Sequence, residues 1–123
     1  MMGGVVGEHA VTSRVALIGG DLMFRSRLSS ALEARGVAVR STKEGELPDA
    51  ELVFVDLNAS VEGRLGEIRR LREERLDVTI VGFCHHGEKA VRKAAMESGA
   101  DQVVTNGAIA ETALRLLGRD GRG

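Results

Sequence analysis

The feature that most constrains this chain is a rhythm. Short apolar runs rich in β-branched residues recur between longer stretches with helical spacing. The runs are Arg14-Val-Ala-Leu-Ile18, Val37-Ala-Val39, Leu52-Val-Phe-Val55, Val78-Thr-Ile-Val81 (continuing towards Phe83) and Gln102-Val-Val-Thr105. Their near-continuous apolar character predicts strands covered on both faces, as in a parallel sheet. Between them, Phe24, Leu28, Ala31 and Leu32 share one face of a helix that follows Asp21 and stops at Gly36. Val61, Leu65, Ile68 and Leu71 form the inner stripe of a second helix, with Ser60 placed to cap it. A third helix runs from about Glu88 to Ser98, ending at Gly99. The last runs from Ala108 to Leu117, with Ile109, Ala113, Leu116 and Leu117 inward.

Strands that alternate with helices predict an α/β fold. The expected architecture is a flavodoxin-like, doubly wound parallel sheet of five strands in the order 2-1-3-4-5. One connection departs from the rhythm. Arg40 to Ala50, between the second and third strands, carries Gly45 and Pro48, which disfavour a regular helix. The helix after strand 2 is therefore expected to be shortened or missing, leaving a thinly covered apolar face as a candidate interface. Residues 1–13 read as a flexible leader, 14–117 as one domain and 118–123 as a flexible tail.

Composition excludes several classes. The net charge is −1, and there is no Trp or Tyr. Neither a basic nucleic-acid footprint nor a base-stacking platform is present. A lone cysteine, Cys84, precludes an internal disulfide and fits a reducing cytoplasm. No apolar run reaches the roughly 18 residues of a membrane span, and the N-terminal stretch lacks the basic and apolar regions of a signal peptide.

The chemistry-bearing residue is Asp56. It ends the third strand and opens into Leu57-Asn58, at the strand ends where α/β sheets place their sites. Its bland reading is a carboxylate bonding loop amides. Asp21 reads first as a helix cap. Gly19-Gly20 lacks the G-x-G-x-x-G pattern of a dinucleotide turn. Cys84, His85 and His86 beside Asp56 could form a weak metal site, a pH-sensitive loop or a solvated loop. Cys84 reads as a small buried hydrophobe. The arginines from Arg64 to Arg75 alternate with glutamates and read as a solvated face laced with i,i+4 pairs.

Taken in order, these pieces resemble the response-regulator receiver family from about Arg14 to Leu117. Val-Ala-Leu-Ile-Gly-Gly-Asp-Leu-Met-Phe-Arg-Ser-Arg-Leu is similar to the family's first strand and helix start, and Leu-Val-Phe-Val-Asp56-Leu to its phosphoacceptor strand. Val-Thr-Ile-Val-Gly-Phe-Cys-His and Glu-Ser-Gly-Ala-Asp-Gln-Val-Val-Thr are similar to the fourth and fifth strands. The resemblance implies a Mg²⁺-dependent phosphoacceptor at Asp56, yet its helpers are replaced. The acidic pair falls on Gly19 and Gly20, followed by Asp21. The hydroxyl residue falls on Phe83, or on Cys84 if the register slips. The lysine falls on Asn106, the proline behind it on Gly107 and the aromatic switch on Val103.

The resemblance therefore implies a degenerate member: a stand-alone, non-enzymatic pseudo-receiver that works through protein partners, without cofactor or metal. A homodimer through Glu88–Leu117 is one expected assembly. One alternative is a small-ligand or nucleotide-binding domain using the Gly19-Gly20/Asp56 crevice with Asn106 and His85. A second is an atypical phosphorylatable regulator with Asp56 as acceptor.

Overall fold

The computed structural model describes residues 13–43, 45–75, 77–85 and 88–118. The proposed leader, apart from Ser13, and the tail beyond Gly118 lie outside them, as does His86. Five strands form one parallel sheet: β1 Ser13–Ile18, β2 Val37–Ser41, β3 Leu52–Asp56, β4 Thr79–Cys84 and β5 Gln102–Thr105. Their order is β2-β1-β3-β4-β5. The helices are α1 Leu22–Glu33, α2 Val61–Glu74, α3 Lys89–Ser98 and α4 Ile109–Leu116, the last preceded by a 3₁₀ turn, Asn106–Ala108.

Two cores follow from the period of two along each strand. Val53, Val55, Ile80 and Cys84 face one way, against Leu65, Ile68 and Leu71 of α2 and Ala95 of α3. Leu52, Phe54, Val81 and Phe83 face the other, against Leu28 and Leu32 of α1 and Ile109 and Ala113 of α4. Each interior strand buries both its faces, so an unbroken apolar run is the pattern it needs.

Among the described residues no helix forms between β2 and β3. Pro48 and Ala50 are buried there and hold the connection against the sheet. The cleft left beside β2, about 320 Å³, is bounded by Arg14 and Arg40, both exposed. Its lining mixes Leu47, Pro48 and Ala50 with Arg14, Arg40, Glu46 and Asp49.

Three local expectations need correction. Ala31 and Leu116 were expected inward, but both are exposed. The helix stripes are narrower than the sequence suggests, because each helix touches the sheet along one line. Ser60 precedes α2 in a left-handed conformation, φ 54°, and its side chain makes no cap bond. In that conformation the hydroxyl is not aimed at the free amides of the first turn.

Candidate functional site

Four strand ends meet at one rim. β1 gives way to Gly19 and Gly20, both at positive φ (91° and 82°), and Asp21 then caps α1, accepting from the Phe24 amide at 2.7 Å. The left-handed turn brings the Gly20 amide to the carboxylate of Asp56, where it donates to Oδ2 at 2.9 Å. Oδ1 accepts from the Asn58 backbone and from Asn58 Nδ2, each at 2.8 Å. From the first turn of α2, Arg64 donates through Nη1 to the Asp56 carbonyl at 3.1 Å. The same Nη1 lies 4.0 Å from Oδ2. Both side chains are largely buried, 16% and 14% exposed. At that spacing the gross attraction is about 4 kcal/mol for an effective dielectric near 20, before desolvation is charged against it.

A chain of amides ties the loops together. Asn58 Nδ2 donates to Asn106 Oδ1 at 3.1 Å, and the His85 amide donates to Asn58 Oδ1 at 3.1 Å. Asn106 Nδ2 reaches Nδ1 of His85 at 3.5 Å. Behind this polar rim lies a cavity of about 590 Å³ whose wall includes Phe24, Leu28, Phe83 and Ile109. Phe24 stacks on Phe83 with ring centroids 5.1 Å apart.

Asp56 pairs across the sheet with Phe83, and Cys84 pairs with Thr105. Phe83 therefore stands at the crevice, and Cys84 is buried on the opposite face. Burial raises the Cys84 thiol above its ordinary value of 9.0. Asp56, Cys84 and His85 do not converge, because adjacent strand residues leave the sheet on opposite sides. Among the described residues no group of three His, Cys, Asp or Glu could hold a metal ion.

No protein-family model and no curated protein matches the chain. Solved structures do. A CheY-like protein (tadZ) from Pseudomonas aeruginosa PAO1 superposes with a TM-score of 0.75 at 20% identity, over 89% of this chain and 100% of that one. The receiver domain of the TMAO respiratory system response regulator TorR gives 0.72 at 22% identity, over 87% and 95%. A response regulator from Thermotoga maritima gives 0.72 at 22% identity, over 88% and 99%. The fold is that of a receiver domain.

On a receiver fold the divalent ion implied by the resemblance can be tested against the residues present, and they do not fit it. Gly19 and Gly20 offer no side-chain oxygen. Both oxygens of Asp56 are already hydrogen-bonded within the chain. Mg²⁺ is usually held by one or two carboxylates in near-ideal octahedral geometry, and beside Asp56 the described rim offers only Asp21, whose Oδ1 already caps α1. Gly19, Gly20, Asp21, Asp56, Phe83, His85 and Asn106 do gather at one rim, and Cys84 alone turns away.

Arg64 is the residue the sequence reading missed. In sequence it is one of eight charged residues from Arg64 to Arg75, and only the fold shows that it reaches the strand end. Asn58 was likewise passed over. Its signal, an amide two residues after a strand-ending carboxylate, is a common loop pattern.

Proposed function

We propose that this chain is a pseudo-receiver: a non-enzymatic signalling module of the cytoplasm that acts through protein contacts, without Mg²⁺-dependent aspartyl phosphorylation. One observation carries the reading. Each oxygen of Asp56 accepts a hydrogen bond from the same chain, and Asp21, which caps α1, is the one other carboxylate at the described rim. Transfer of a phosphoryl group to a carboxylate brings like charges together, and its catalysis is positioning and neutralisation by cations. Here glycines stand at 19 and 20, where an acidic pair would hold a divalent ion, and an uncharged amide stands at 106 in place of a lysine.

Partners are expected across Glu88–Leu117, where Met96 and Leu116 are 44% and 37% exposed. No helix among the described residues is long and apolar enough to cross a membrane.

The test is a thermal melt with and without Mg²⁺ and beryllofluoride, on this protein and on Asp56→Ala. A native-state ligand at 100 times its dissociation constant adds about 2.7 kcal/mol, a readily seen shift. Neither protein is expected to move. A Mg²⁺-dependent rise lost in Asp56→Ala would restore the phosphorylatable alternative.

The cavity supports a second reading. At about 590 Å³ it falls within the size of small-ligand sites, with apolar walls and a polar rim. Saturable binding of a nucleotide, abolished by Asp56→Ala, would favour it.

A further inference from the structure

Asp56 is a largely buried carboxylate, and a buried charge is costly unless something neutralises it. The counter-charge comes from Arg64. Its guanidinium is itself largely buried, 4.0 Å from Oδ2, and fixed by a 3.1 Å bond to the Asp56 carbonyl. Room for it depends on Gly19. A Cβ there would collide with Arg64 Nη1 and stand 2.6 Å from Asp56 Cβ, at a φ of +91° that side chains rarely adopt. Gly19, Asp56 and Arg64 thus fit only as a set: the missing side chain of one makes space for the guanidinium that serves the other.

A divalent ion on Oδ2 would have to approach to about 2.0–2.6 Å. The Gly20 amide and the guanidinium already flank that oxygen. We propose that Arg64 is a tethered counter-cation for Asp56, supplying from the α2 side of the carboxylate the positive charge that a free divalent ion would otherwise supply. This deepens the pseudo-receiver reading and rests on it. The charge of the site is set by the covalent chain, so cation supply does not change it. The same guanidinium ties the end of β3 to the start of α2, so the loops around Asp56 are held in one arrangement.

The experiment uses the full chain, Arg64→Ala, and Arg64→Ala combined with Asp56→Asn, with methylguanidinium as the probe and sodium chloride as an ionic-strength control. Alanine keeps the helix intact. Losing the counter-cation is expected to lower the melting temperature by about 4–8 °C, the shift that corresponds to one kcal/mol in a domain of this size. Methylguanidinium, and not sodium chloride, is expected to return at least half of that loss in Arg64→Ala and none in the double variant. No recovery, or equal recovery in both variants, would overturn the tethered-cation role, since a packing role needs neither guanidinium nor carboxylate. The two readings fail separately. A response of the unmodified chain to Mg²⁺ and beryllofluoride sinks the pseudo-receiver reading, whereas missing rescue in a chain otherwise silent to them sinks only the role of Arg64.

Discussion

Phe83 and Cys84 are neighbours in β4 whose side chains leave the sheet on opposite faces, and that decides what each can do. Phe83 floors the crevice, stacked on Phe24 and edge-on to Phe54 with centroids 6.4 Å apart. Cys84 is sealed beneath α2 and α3, where burial disfavours its thiolate. Its folded pKa is raised, so its contribution to stability is present below the unfolded value of 9.0 and is lost as pH rises beyond it. Denaturant unfolding at about pH 8 and about pH 10 should therefore show a steeper alkaline loss in the native chain than in Cys84→Val. Parallel profiles would mean that the thiol does not titrate differently on unfolding. The sequence could name both residues but left the register open. Only the pairing of Asp56 with Phe83 resolves it.

Helix α2 shows how an element's charges can be misread in sequence. Its alternating arginines and glutamates suggest a solvated face with i,i+4 pairs, and one such pair exists, Arg70 with Glu74 at 3.8 Å. Most of the arginines instead reach out to loop carbonyls. Arg70 donates to Glu46 O at 2.7 Å and Arg75 to Pro48 O at 2.8 Å, pinning the connection that lacks a helix. A hydrogen bond from Arg70 to Glu67 raises the pKa of its guanidinium further. Arg72 spans the end of α3 and the start of β4, donating to Gly99 O and Val78 O at 3.0 Å each and to Asp101 at 2.6 Å. Hydrogen bonds to charged groups contribute about 1.5–3 kcal/mol. Arg72→Ala should cost about that much in denaturant unfolding, against at most about 0.5 kcal/mol for a surface change such as Glu73→Ala. Equal costs would return α2 to the solvated-face reading. Guanidinium forks reach backbone oxygens that no periodicity encodes, so this clamp could not be seen from spacing.

At the scale of the whole molecule, exposed apolar surface bears on assembly. If Glu88–Leu117 joins two copies, light scattering should show a dimer that Met96→Glu with Leu116→Glu reduces to a monomer. Leu22 and Met23, at 74% and 69% exposure, stand at the opening of α1, a surface the sequence reading did not single out. A dimer that survives the first pair of changes but falls to Leu22→Glu with Met23→Glu would move the contact to the crevice rim. The strand order, the four helices, the missing helix after β2 and the position of Asp56 were legible in the chain by itself. The strand order follows from right-handed crossovers between parallel strands; the others rest on local periodicity, on glycine and proline placement, or on the carboxylate at a strand's end. Tertiary structure alone decided that Arg64 lies over Gly19, that Asn58 pairs with Asn106 across 48 residues, and that Phe83 rather than Cys84 meets Asp56. Those facts depend on side chains of separate elements reaching one point in space, and a sequence encodes that meeting only through the fold that brings the elements together.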